Sequence, residues 1–417
     1  MEGLLTLQEN THTKTRIEIP LRAPIDPLSW LIGQPAGNRI YWSDRDSDMV
    51  IAGIGVADEG HPESIDPKKH AGGRYFGGMA FDAEGATSEA WRRFGSGHMR
   101  LPRLTVERHA GKGLVALNTA KDTIGLPKGV HAEVRHSSVP PQPVQEWHHF
   151  PDRKGWNNNI HIALDEFNEN EMEKVVLARL SRLKLTADSD PFALLRNLSA
   201  DQGPTFHFGF ELGLGHAFFG CTPEKLFSRS GSTILTEALA GTRPRHAEPM
   251  RDRQLAEALL TSGKDSNEHQ HVVQAIDNVL RPLCTTLHRD RSPSIRRLRS
   301  VQHLHTGFSG SLRNKESDIS ILRALHPTPA VCGQPTDLAR KFIKQHEPFQ
   351  RGWYAGPVGW MGADSACFAV AIRSALLWQQ QLLITSGAGI VPRSQAEDEW
   401  DEIDAKSQPF FSLIASS

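Results

Sequence analysis

The sequence has no apolar run near the roughly 18 residues that a membrane-spanning helix needs. It has little cysteine: Cys221, Cys284, Cys332 and Cys367 are the only four in 417 residues, and no two form a CxxC pair. That excludes the spacing of a zinc site and of a disulfide framework, and leaves free buried thiols in a reducing compartment as the expectation. Charge of one sign is lacking too, with 47 basic against 48 acidic side chains and a formal charge of −1. Neither nucleic acid nor an anionic membrane surface would attract such a chain over long range, so neither is expected as a partner. The first residues, MEGLLTLQENTHTK, place Glu2 where a secretion signal would carry positive charge, and their apolar run is short. A cytoplasmic location is expected. No repeat of 20–50 residues and no low-complexity tract is visible.

What is present is ordinary globular composition, 38% hydrophobic and 23% charged, enough for two or three domains or one large one. The most obvious seam is RHSSVPPQPVQEWHHFPDRKGW, residues 135–156, where Pro140, Pro141 and Pro143 favour an extended connector. Before it lies a glycine-rich half, around GGRYFGGMAFDAEG, that reads as short strands and turns. After it, Ile160, Leu164 and Phe167 recur as on an amphipathic helix. FHFGFELGLGHAFFGCTPEKLF reads as strands with glycine turns, and residues 250–281 as a helix with Val272, Ile276, Val279 and Leu280 in one stripe. Strands return in ACFAVAIRSALLW and QLLITSGAGIV, followed by an acidic helix, EDEWDEIDAK. Strand groups followed by helices indicate an α+β fold.

Several residues could carry chemistry. Lys174 heads EKVVLARLSR, a strand that reads as buried on both faces, with Lys174, Val176 and Ala178 on one of them. A lysine there either reaches solvent from the strand end or sits in a cleft. Burial disfavours a charged amine, and a neutral amine can take a proton. Glu224, in GCTPEKLF, lies between Pro223 and the apolar Leu226 and Phe227. It is either a solvated turn residue beside Lys225 or an acid made weaker by its surroundings. Asp265 with Glu268, and Glu399 with Glu402, stand at i, i+3, each pair on one helix face. The first pair also fits a capping box, and Glu402 with Lys406 fits a surface ion pair. Four carboxylates at two helix ends would equally suit Mg²⁺, a hard cation that takes few protein oxygens. Gly387 and Gly389 leave backbone open to a ligand.

Taken in order, the blocks KVVLAR, TPEKL, TEALAGTRPR, SGKDSNEHQHVV, LHPTPAVCG, WYAGPVGW, VAIRSALL, SGAGIV and EWDEIDAK resemble those of chorismate-utilising enzymes, and among them the isochorismate synthases. The resemblance is dense over residues 155–415 and sparse over 1–150. Aminating members of the family typically carry glutamine in place of Lys174, and some carry lysine in place of Ala240. No ammonia chemistry and no amidotransferase subunit are therefore implied. Salicylate synthases share the lysine but usually lack the LHPTPAV form of residues 325–331. The EWDEIDAK ending resembles synthases of the menaquinone pathway more than those of siderophore pathways. The alternatives are an isochorismate synthase for siderophore or salicylate formation, a salicylate synthase, and a silent chorismate-binding protein. Silence should show as loss of Lys174, Glu224 or a metal glutamate, and all are present.

The resemblance implies these roles. Lys174 would deprotonate the water that attacks ring C2, and Glu224 would protonate the departing C4 hydroxyl. Glu268 and Glu402 would hold Mg²⁺, with Asp265 and Glu399 in the outer shell. Arg373, Lys406 and the amides around Gly387 and Gly389 would hold carboxylates. Ala240, Gly241 and Thr242 would line one wall, with His303 near the ring. The implied fold is one large α+β unit of two stacked antiparallel sheets flanked by helices. Residues 1–150 would be its N-terminal part and 151–417 its chorismate-binding catalytic part, with the seam a loop inside the unit. A monomer or weak dimer is expected.

Overall fold

The strand that begins at Lys174 is long, Lys174–Leu185, and every residue from Val175 to Arg179 is buried, as its unbroken apolar run requires. It belongs to the larger of two sheets in a computed structural model that describes residues 16–23, 25–83, 88–119, 126–131, 142–169, 172–200, 203–297, 301–313 and 316–415. Its neighbours are Gln381–Ile390 on one side and Gln142–Phe150 on the other, both antiparallel. Beyond Gln381–Ile390 the sheet continues through Ser374–Trp378, His216–Thr222, Phe206–Glu211 and Arg39–Ser43. The smaller sheet runs from Cys284–Arg289 through Val301–Leu312, Thr233–Pro244, Lys225–Ser230, Ser365–Val370, Pro357–Met361, Tyr75–Met79 and Gly97–Leu101 to Asp58–Gly60. Apolar side chains of both sheets, with the helices, form the buried core; Leu177, Phe227, Ile234 and Phe368 share one cluster. The observed architecture is the α+β arrangement that the strand groups imply.

The N-terminal strands are woven into both sheets: Arg39–Ser43 pairs with Phe206–Glu211, and Tyr75–Met79 with Pro357–Met361. The seam differs from a loop. Residues 135–141 lie outside the described residues, but Gln142–Phe150 is a strand paired with Lys174–Leu185, and a helix, Arg153–Glu169, follows at once. Pro143 is tolerated because it sits near the sheet edge, where only the short Ile414–Ala415 lies beyond it. In the helix, Trp156 and Ile160 are buried, while Leu164 and Phe167 are partly so.

The segment expected as one helix over 250–281 is two, Pro249–Thr261 and Gly263–Leu283. Ser262, in extended conformation, separates them and accepts a hydrogen bond from the Asp265 amide at 3.2 Å. The cap is therefore Ser262, not Asp265, whose carboxylate is freed for other partners. Val272, Ile276 and Leu280 face the core as the period requires. The acidic helix is Ala396–Phe411. All four cysteines are free and buried. Among the described residues no helix is long and apolar enough to cross a membrane.

Candidate active site

Lys174 stands at the first residue of its strand, where the sheet opens into a cleft of about 820 Å³ also lined by Asn267, Glu268, Pro329, Gln334 and Val391. Its Nζ donates to Glu268 Oε1 at 2.8 Å, and its side chain is only 13% exposed. Neither Glu173 nor bulk solvent is thus its main partner. Gly389 makes room for it: a Cβ there would lie 3.0 Å from Lys174 Cε. Opposite Gly389 and Gly387 in the register are Val176 and Ala178. Those two residues send their amides elsewhere, to Cys332 O and Glu347 Oε1. The facing glycines therefore form non-hydrogen-bonded pairs, and their own N–H groups point away from the lysine strand. That side is open, since the neighbouring strand Ser374–Trp378 pairs only up to Thr385.

Glu224 occupies the crossing between the sheets, after His216–Thr222 of one and before Lys225–Ser230 of the other. Its amide donates to Thr222 Oγ1 at 3.3 Å, and its carbonyl accepts from the Val370 amide at 3.0 Å. Lys225 does not pair with it but with Asp46, at 2.6 Å. Burial, reinforced by the charge of Glu237, pushes the Glu224 carboxyl up to about 7, against the opposing pull of Lys174, Thr328 and Arg45. That holds the carboxyl well above the range of a solvated turn glutamate.

Glu224, Arg373, Lys406 and the residues from Ala240 to Thr242 do not line the cleft at Lys174, and the last of these form a bulge between Ala240 and Thr242. Gly241 takes φ +67°, and a Cβ there would meet Asp265 Cβ at 3.1 Å. The bulge sets Thr242 opposite His303, whose Nδ1 lies 3.0 Å from Thr242 Oγ1 and 3.1 Å from Gly241 O. A carbonyl only accepts, so Nδ1 carries the proton and Nε2 remains an acceptor. Burial lowers the His303 pKa to about 4, so the ring is neutral; Gly241 opposes that shift, and the cations of Arg373 and Lys406 add to it. Arg373 holds φ +51°, a costly conformation for a side-chain-bearing residue, and donates to Lys406 O at 3.3 Å. Burial lowers its pKa, and Tyr354 and Glu402 oppose that. Lys406 Nζ donates to Gly387 O at 2.9 Å and pairs with Glu402 at 2.5 Å.

The four carboxylates named from the sequence do not behave alike. Glu268 faces Lys174 and Glu402 faces Lys406. Burial pushes Glu402 up, but Lys406, Arg373 and Lys174 outweigh it and hold the carboxyl below the usual range. Asp265 is turned to Arg243 Nη2, at 2.5 Å, and Glu399 accepts from Ser394 Oγ at 2.6 Å while burial raises its pKa. Among the described residues no three acidic, histidine or cysteine side chains converge into a cage. Two glutamates from two helices nevertheless match Mg²⁺, which binds through one or two carboxylates and keeps its waters. As chemistry, two carboxylates suit a hard cation that takes few protein oxygens and not one that needs a full protein cage, and in this structure each of the two is paired with a lysine.

Some supporting residues escaped sequence reasoning. Arg351 and Glu347 form a pair 3% and 2% exposed. Arg351 donates to Val331 O at 2.9 Å and Val176 O at 2.7 Å, so it ties LHPTPAV to the lysine strand. Tyr354 is buried, and its hydroxyl oxygen would lie 3.1 Å from a Cβ placed on Gly387. Their signal was present only as the block WYAGPVGW and its upstream neighbours. A sequence cannot show that an arginine there faces inward.

A model of the family described as chorismate binding enzyme matches residues 62–415. Isochorismate synthase MenF of Escherichia coli K12 is 33% identical over 95% of this chain and 93% of its own length. The salicylate biosynthesis isochorismate synthase of Pseudomonas aeruginosa is 34% identical over 79% of this chain and 71% of its own. Among solved structures, MenF, described as the menaquinone-specific isochorismate synthase from Escherichia coli, superposes with a TM-score of 0.87 at 32% identity, covering 99% of this chain and 98% of that one.

Proposed function

Because the chain belongs to the chorismate binding enzyme family, we propose that it is an isomerase that interconverts chorismate and isochorismate. The observation that supports the reading most is that the charge of Lys174 acts on the Glu224 carboxyl, whose pKa burial pushes up to about 7. In the forward direction Lys174 takes a proton from a water as that oxygen bonds to C2. Both conjugated ring double bonds shift by one position, from C1–C2 to C1–C6 and from C5–C6 to C4–C5, the C4–O bond breaks, and the hydroxyl leaves as water with the proton that Glu224 supplies. One water enters and one departs, so the product is an isomer of the substrate. Afterwards Lys174 is an ammonium and Glu224 a carboxylate, the forms needed to run the reaction backwards.

Arg373, Lys406 and the outward amides of Gly387 and Gly389 supply the positive field for the substrate carboxylates. His303, neutral and with Nε2 free to accept, suits a ring hydroxyl better than a carboxylate. Ala240 leaves the wall without an amine, which disfavours an aminating course. Glu268 and Glu402 are the residues that would hold Mg²⁺, which when bound would neutralise a substrate carboxylate. The likeness to the menaquinone-specific synthase supports that pathway. The likeness to the Pseudomonas aeruginosa enzyme supports a second destination, salicylate.

Incubation with chorismate and Mg²⁺, followed by chromatography, should give isochorismate in equilibrium with chorismate. Little pyruvate should form, and no aminated product even in excess ammonia. Salicylate and pyruvate as main products would replace this reading with that of a salicylate synthase.

A further inference from the structure

Behind Glu224 lies a buried charge cluster to which the proposed chemistry assigns no part. Arg45 is 1% exposed at its side chain and Glu237 4%. Arg45 Nη1 donates to Pro223 O and, at 2.5 Å, to Glu237 Oε1; its Nη2 donates to Glu237 Oε2 at 2.9 Å. Glu237 Oε1 also accepts from the Lys225 amide at 3.3 Å. Pro223 and Lys225 are the residues on either side of Glu224. One buried ion pair therefore grips the peptide groups that flank the acid, while Thr222 and Val370 hold the acid's own amide and carbonyl. The pair is itself fixed. Arg45 bonds Asp46 at 2.8 Å and stacks over the Phe206 ring at 5.0 Å. Glu237 lies 3.3 Å from both Arg296 and His305.

We propose that the buried Arg45–Glu237 pair is the positioning element of the acid, fixing the turn that carries Glu224 and balancing the charge that its carboxyl feels. The inference rests on the reading of Glu224 as the acid. A pair kept only for stability would need no contact with the turn, and a hydrophobic replacement would serve as well. Here both members touch it. Their charges also act on Glu224 with opposite sign: Glu237 raises its affinity for the proton, and Arg45 lowers it. Glu237 itself stays ionised: burial raises its pKa, but His305, Arg45 and Arg296 outweigh that and hold it far below the usual range. The other groups that bear on the carboxyl are Lys174, Thr328 and Tyr354; Lys225 is held away by Asp46.

The test is the pH profile of kcat/KM for chorismate at saturating Mg²⁺. The break that belongs to Glu224 is the one lost in Glu224→Gln. Glu237→Gln should move that break to lower pH, and Arg45→Met should move it to higher pH, each by roughly one unit or more, the usual effect of a nearby charge. The double variant should return it toward the wild-type position, and Arg45→Lys should leave it there. A break that stays put in both single variants, or moves the same way in both, overturns the proposal. If Glu237→Gln does not fold, Arg45→Met against Arg45→Lys decides alone. Should every break survive in Glu224→Gln, the acid assignment has failed, and the pair is judged by carboxyl ¹³C titration of Glu224 in the same variants. Opposite displacements there keep its role, and none removes it.

Discussion

Lys174→Gln should lower kcat/KM on the order of 10²–10⁴-fold, the loss typical of a removed general base. Glutamine preserves much of the side chain's length and a polar donor at its end, so the strand and the cleft should survive. Glu224→Gln should cost a comparable factor, because an amide cannot deliver a proton to the departing hydroxyl. The two together should cost far less than the product of the single losses, since residues that act as a unit are not additive. Wild-type kcat/KM should rise and then fall with pH, because one group must be unprotonated and the other protonated. With the Glu224 carboxyl pushed up to about 7, one of the two breaks should lie near neutrality. Steady-state assays of the three variants across pH check all of this. Near-full activity of Lys174→Gln with an unchanged profile would reduce the lysine to a strand-end charge.

Replacing Glu268 or Glu402 by glutamine should weaken Mg²⁺ binding by roughly ten-fold or more, since the oxygen remains but the charge is lost. The two variants should differ in their side effects. Glu268→Gln also releases Lys174 from its 2.8 Å ion pair, so it should disturb the base as well as the metal. Glu402→Gln frees Lys406, which keeps its hold on Gly387 O at 2.9 Å. Calorimetric titration with Mg²⁺, independent of turnover, separates the metal effect from the chemical one. Unchanged affinity in both variants would make these glutamates partners of lysine only.

The lysine strand was legible because burial on both faces leaves an unbroken apolar run, and Lys174 interrupts it only at the end. The α+β class followed from strand groups and helix periods in the same way. The seam was misread because three prolines suggest a connector, whereas Pro143 lies at a sheet edge that demands no amide from it. Asp265 was offered as a capping residue on spacing alone. The structure gives the cap to Ser262 and turns Asp265 to Arg243, because the helix begins two residues earlier than Asp265. The bulge at Gly241 could be guessed from the glycine, but its partner strand could not. Glu224 was visible only as a carboxylate between apolar residues; its enclosure comes from two sheets crossing at that turn. Arg45 was invisible as a functional residue, since WSDRDSD reads as a polar surface turn and Glu237 lies 192 residues away.

The central claim is that water adds at C2 while the C4 hydroxyl departs, and the most direct measurement is the isotopic composition of the product formed in H₂¹⁸O. With chorismate and Mg²⁺, mass spectrometry should find isochorismate carrying one ¹⁸O at C2, and Lys174→Gln should form far less of this labelled product in the same time. Isochorismate without label, or salicylate and pyruvate in its place, would contradict the account.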